Sequence, residues 1–203
     1  MSLSVVTAVG VEGTGSYGAE LARVLADHGF TIREVNRPNR ADRRLRGKSD
    51  PLDAYQAAES VPADRGTSTP KTRDGYVEAL RVLRTARTSA LKARTALLNQ
   101  ISGVLTSAAD EVRAKYRGMT SESRVKVMAV SRPSGDPSDP VVATLLTLKR
   151  LGSRYRFLSE EIVETDAELS LIVSTHAPAL LDVKGVGIVV ASQLLVTFGS
   201  LKR

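Results

Sequence analysis

The chain reads as an α/β segment followed by an all-α remainder, and three observations predict this. Residues 4–11, SVVTAVGV, are rich in β-branched side chains and stop at a glycine cluster, the pattern of a buried strand. From residue 74 onward the apolar residues recur at steps of three and four, the period of helices and not of strands. Only 4% of the residues are aromatic and tryptophan is absent. Packing therefore relies on Leu, Val, Ile and Ala, which suits helices lying against helices.

In order, the first strand gives way to GTGSYG at residues 13–18 and then to AELARVLADHG, with Leu21, Val24 and Leu25 on one helical face and Gly29 as its stop. TIREV, residues 31–35, supplies a second strand and completes a β-α-β unit. RPNRADRRLRGK, residues 37–48, sets six basic residues against Asp42 and is too polar for a core. A helix is expected to open at DPLD, residues 50–53, and to run through AYQAAES to a stop before Pro62; DRGTSTPKTR then reads as a linker.

The long-helix region carries two seams. The first, over residues 74 to 116, picks out Val77, Leu80, Arg84, Arg87, Leu91, Arg94, Leu98, Ile101, Leu105, Ala108 and Val112, apolar at its ends and basic in its middle. After a break at RPSGDPSDP the second runs Leu148, Leu151, Tyr155, Leu158, Ile162, Thr165, Leu169 and Ile172. Two such seams predict a helical hairpin or coiled coil, or else a homo-oligomer formed through the long helices. The chain closes with PALLDVKGVGIVVASQLLVTFG, which has the form of a helix-hairpin-helix. In that motif Gly185 and Gly187 let the backbone approach DNA, the amides of the following helix N-terminus receive a phosphate, and Lys184 adds a contact that reads no sequence. A glycine-capped helix turn is the plainer alternative. The organisation expected is 1–66, 67–176 and 177–203.

Charge narrows the partners. A net +7 and a pI near 9.9 favour a polyanion, with DNA or RNA ahead of membrane lipid. Arg37, Arg40, Arg43, Arg44, Arg46 and Lys48 are the densest candidates for nucleic-acid contact. With no cysteine, disulfides and thiolate metal sites are excluded, and the two histidines, His28 and His176, lie too far apart in sequence to suggest a zinc site or a catalytic triad. No segment reaches the roughly 18 apolar residues of a membrane span, so a soluble, cytoplasmic protein is expected.

Two chemistries compete at the front end. GTGSYG fits the G-x-G-x-x-G dinucleotide fingerprint, with Glu34 placed to take the ribose hydroxyls of NAD(P). Against it, Glu12 sits immediately before the first glycine, where an anion opposes a pyrophosphate, and no further β-α units follow. Glu12 suits a divalent cation instead, joined by Asp50 and Asp53, which share a helical face at i and i+3 behind Pro51. Taken alone, DPLD also makes a good helix cap, with Asp50 at the N-cap and Pro51 at N1.

GVEGTGSYGAELARVL, EVNRPNRADRRLRGKSDPLDA and the terminal LLDVKGVGIVVASQLL together resemble the DEDD transposases of the insertion-sequence one-ten family. The resemblance implies a RuvC-like catalytic domain with an RNase H-like fold, present here in part. It also implies site-specific recombination of DNA, Mg²⁺ at a four-carboxylate site, and a bridge RNA as guide. On that pattern Glu12 matches the family's glutamate, and Asp50 and Asp53 its paired aspartates, as catalytic and metal-binding residues. The family's first aspartate lies on a strand well upstream of the glutamate motif, and no residue here matches it. Its serine nucleophile follows the hairpin, and neither Ser192 nor Ser200 matches that position. These departures imply a copy truncated at both ends and inactive alone. A non-enzymatic DNA- or RNA-binding module is the alternative from another class, and an NAD(P) enzyme a third.

Overall fold

The computed structural model describes residues 6–35, 55, 58–62, 66–71 and 74–199. They fall into two compact units, residues 1–73 and 74–203.

The first unit is built on β1 (Val9–Glu12), α1 (Ala19–Asp27), β2 (Ile32–Val35) and β3 (Thr67–Ser68). The β-α-β unit is present: β1 and β2 pair in parallel, with Val9 opposite Ile32 and Glu12 opposite Val35. A parallel pair needs a crossover, and α1 supplies it. Strand β1 begins at Val9, later than the β-branched run suggested. The segment expected to be a linker contributes β3, antiparallel to β2, with Val35 opposite Thr67. Tyr55 and residues 58–60 are helical and a turn at 61–62 ends them, in keeping with a stop at Pro62.

The face of α1 differs from expectation. Ala22 is its buried residue, while Leu21 and Val24 are 54% and 44% exposed. The cause lies in the turn before the helix: a Cβ added to Gly18 would lie 2.5 Å from the Glu12 carbonyl oxygen and 3.0 Å from Val11 Cγ1. Small residues set so close an approach at Gly18 and Ala22 that Leu21 and Val24 turn outward, while Leu25 stays half-buried.

The second unit is helical. Helices α2 (Gly75–Ser107) and α5 (Pro140–His176) form its frame, with α3 (Asp110–Lys115) and α4 (Ser121–Val130) between them in sequence. After α5 come a single 3-10 turn, Pro178–Leu180, and α6 (Ile188–Phe198). Helices α2 and α5 run antiparallel, since Arg87 meets Asp166 while the later Arg94 meets the earlier Tyr155. The hairpin thus uses within one chain the seams that the sequence offered equally to an oligomer.

The basic middle of the first seam now has a reason. The core is split into two clusters. One holds Leu97, Ile101, Leu105, Val112, Met128, Leu148 and Leu151; the other holds Leu80, Leu169, Val173, Ala177, Ala191 and Leu195. Between them Arg87 grips Asp166 with two bonds, 2.5 and 3.2 Å, and the Arg94 guanidinium lies 5.6 Å from the centre of the Tyr155 ring. Paired charges at a seam set register more than they add stability. Where α5 enters the second cluster, His176 stacks on Tyr76 at 4.1 Å.

The helix expected to reach residue 116 breaks at Ala108, whose backbone is extended (φ −72°, ψ 156°). Hydroxyls of Thr106 and Ser107 bond back to carbonyls of the preceding turn, a competition that weakens helix ends. Ala108 and Val112 nevertheless stay buried, because α3 folds back onto the same cluster. Helix α4 starts with Thr120 as N-cap, its side-chain oxygen accepting from the Ser123 amide at 3.2 Å. It crosses α5 at Gly152, where an added Cβ would lie 2.9 Å from both Ala129 N and Met128 Cβ.

Candidate metal and nucleic-acid site

Alternation along β1 sets Val11 inward and leaves Glu12 exposed at the strand's carboxyl end. The chain then turns sharply on Gly13, whose φ of 66° is the left-handed region that glycine enters without strain. The Gly13 carbonyl accepts from the amides of Ser16 (2.8 Å) and Gly18 (3.0 Å), and α1 begins directly afterwards. This closed turn fixes the backbone that carries Glu12. No hydrogen bond or ion pair joins the Glu12 carboxylate to another described residue, so its oxygens are available to a cation.

The same turn bears on the dinucleotide fingerprint. A pyrophosphate cradle needs free backbone amides, yet Ser16, Gly18 and Ala19 all donate within the turn itself, to the Gly13 and Ser16 carbonyls. The glycine spacing serves a sharp reversal and a close helix-strand approach. Glu34 is half-buried and lies opposite Val11 in the sheet register.

Asp50 and Asp53 lie outside the described residues, as do Arg37, Arg40, Arg43, Arg44, Arg46 and Lys48. Among the described residues no three His, Cys, Asp or Glu side chains cluster as a metal site. Glu12 is thus the member of the expected carboxylate set whose placement is defined.

In the second unit, Lys184 is exposed and Gly185 adopts φ 87°. A Cβ added to either Gly185 or Gly187 would meet nothing within 4 Å, so the backbone of KGVG is open to a ligand. Gly187 is the N-cap of α6; no side chain caps this helix, and its first intrahelical bond runs from the Ala191 amide to the Gly187 carbonyl at 2.9 Å. The earlier amides are left for a partner or solvent. The element before the turn is the short 3-10 segment and not an α-helical end as the sequence suggested, because Pro178 follows the close of α5.

Sequence reading missed what anchors α6. Arg84 donates to the Val189 carbonyl (2.7 Å), the Ser192 hydroxyl (2.9 Å) and Gln193 Oε1 (2.5 Å). Burial chiefly, and the neighbouring Arg87 secondarily, hold its guanidinium below its ordinary value. Ser192 is fully buried and donates to the Val189 carbonyl at 3.0 Å. The signal was an arginine at a seam position, legible only as an exception to the apolar pattern. Arg84→Met, which keeps the stem and removes the donors, is expected to destabilise the docking of α6 by about 1–2 kcal/mol. Faster hydrogen exchange at α6 amides, with those around Leu148 unchanged, is the result that would confirm it.

A family model described as transposase, the DEDD type of insertion-sequence one-ten, matches residues 3–109. The match includes Glu12, its supporting turn, both aspartates and all of α2. The chain belongs to this transposase family. No curated protein and no solved structure matches the chain at a significant level. The family implies DNA as partner and usually uses a divalent metal, for which the Glu12 carboxylate of this transposase, exposed and without a partner among the described residues, is chemically suited. No helix among the described residues is long and apolar enough to cross a membrane.

Proposed function

We propose that this transposase family member acts on insertion-sequence DNA through a Mg²⁺ site to which Glu12, Asp50 and Asp53 contribute. The observation that carries the reading is Glu12: an exposed carboxylate at the carboxyl edge of β1, unpaired among the described residues, carried by a hydrogen-bonded turn and inside the family match. Bound Mg²⁺ would polarise a phosphodiester and steady its attacking and leaving oxygens. The chain's own part would be to supply these three carboxylates as oxygen ligands to the cation.

On this reading the RuvC-like part, expected over residues 1–66, extends through β3 to residue 73, the hairpin follows to residue 176, and residues 177–203 start a region that meets DNA through Lys184 and the open backbone at Gly185 and Gly187. The arginine-rich run from Arg37 to Lys48 holds phosphates of DNA or of a bridge RNA, and its affinity should fall steeply with salt.

Calorimetric titration with Mn²⁺ of the full chain, and of Glu12→Gln, Asp50→Asn and Asp53→Asn, tests the metal site. Saturable binding weakened about tenfold or more by each substitution is expected, since each removes a charged ligand. Equal titrations for all four proteins would instead favour a module that binds nucleic acid by phosphate contacts alone.

A further inference from the structure

The turn of the helical hairpin, where the family match ends, holds a depression of about 600 Å³. Arg113, Arg117, Arg124 and Tyr116 line it, together with Asp110 and Thr106. Over residues 110–132 six basic residues face three acidic ones, Asp110, Glu111 and Glu122. Two of the six are neutralised locally, Arg113 by Asp110 and Lys126 by Glu122. Neither Arg117 nor Arg124 is ion-paired among the described residues.

Arg124 is the more informative of the two. Its Nη2 donates to the Met119 carbonyl at 3.1 Å, which fixes the guanidinium against the wall of the depression. Its Nε is buried without any hydrogen-bond partner. A buried donor on a charged group is costly to leave unmade, and such exceptions in a folded chain call for an acceptor. Tyr116 is 5% exposed, and burial pushes its phenol up from the ordinary value, so it stays a protonated donor. The cluster therefore offers donors and about two uncompensated positive charges, with a single carboxylate already engaged. A planar guanidinium suits the oxygens of a phosphate better than those of water.

We propose that this depression seats a backbone phosphate of the nucleic acid that the transposase binds, giving a contact point at the hairpin's turn. The proposal rests on the nucleic-acid reading above and adds a site to it. It specifies position, not sequence, because a phosphate carries no base identity.

Fluorescence anisotropy with a labelled 20-base-pair duplex and a labelled single-stranded RNA, over a salt series, tests it with the full chain. Arg117→Ala is the principal variant, since Arg117 is exposed and its loss leaves the core intact; an unchanged circular dichroism melt verifies this. Expected is an affinity about tenfold lower for at least one of the two ligands, with a salt slope shallower by roughly one contact. Lys126→Ala, already paired with Glu122 at 2.8 Å, is the control and should leave both quantities near the parent's. Equal affinity and slope for Arg117→Ala and parent would overturn the proposal while leaving the Mn²⁺ result, and with it the transposase reading, untouched. Equal losses in Arg117→Ala and Lys126→Ala would overturn it as well, reducing the depression to diffuse surface charge. Binding of inorganic phosphate by calorimetry, with neither nucleic acid bound by the parent chain, would overturn it too and point to a small-anion site.

Discussion

Gly18→Val is expected to disrupt the β1–α1 connection, costing about 3 kcal/mol, near the top of the range for forced overpacking. Gly18 has an ordinary φ of −82°, so the cost is not backbone strain. It comes from space: the new Cβ would sit 2.5 Å from the Glu12 carbonyl oxygen and 3.2 Å from the Gly13 carbonyl carbon. Neither is the end of a flexible side chain, so the helix must move off the strand. Because Glu12 is carried by the backbone that is struck, Mn²⁺ affinity should fall along with stability. Most of the helix lies in the other unit, so total helicity is a poor readout; hydrogen exchange at Val9–Glu12 and Ile32–Val35 is the sensitive one. Gly29→Ala serves as the contrast. Gly29 has φ 84° and nothing within 4 Å of an added Cβ, so only the left-handed penalty of about 1–2 kcal/mol applies, and Mn²⁺ binding should survive. Parent-like exchange in Gly18→Val would show that the close approach does not hold the turn.

Leu169→Ala is expected to have a comparable or larger effect on the helical unit, about 2–5 kcal/mol, as for other fully buried leucines. Leu169 is 0% exposed and packs with Leu80, Val173, Ala191 and Leu195. Deleting its branch leaves a void where α2, α5 and α6 meet, so α6 and the KGVG turn should lose exchange protection first. The cluster around Leu148 lies beyond the Arg87–Asp166 and Arg94–Tyr155 layer and should respond little. Leu148→Ala should do the converse, and the double variant should be additive within about 0.5 kcal/mol in urea unfolding, as distant sites are. Strong non-additivity would mean that the polar layer does not divide the core.

How much of this was legible beforehand differs from element to element. The second seam was readable almost residue by residue: Leu148, Leu151, Ile162, Thr165 and Leu169 are all buried, since a long helix with one packed face repeats its signal many times. The β-α-β unit was readable for a similar reason, as β-branched runs and glycine stops act locally. Strand β3 was not. Two residues, Thr67 and Ser68, pair only because β2 offers an open edge, and nothing in a Gly/Ser/Thr/Pro stretch announces that. Helix α3 was missed because the seam continued through Ala108 and Val112 in the same period, hiding the break; α4 is short and buries only Val125, Met128 and Ala129, too few to repeat a signal. The outward turn of Leu21 and Val24 was illegible because moment and periodicity see the helix alone, whereas the contact is set by a glycine one residue before it. At the candidate site, Glu12 stood out by its place before a glycine turn, while its freedom from partners became visible only with the fold.

The sequence by itself determined the order of strand, helix and strand, the two long helical periods, the positive charge and the family motifs, because each is written in local spacing and composition. Tertiary structure decided which face of α1 is buried, how the arginines of the first seam are satisfied, what anchors α6, and which arginines at the hairpin's turn are left with charge to spare. Those outcomes depend on partners distant in sequence, such as Arg84 with Gln193 or Gly152 with Ala129, and a contact between residues far apart in the chain has no period to betray it.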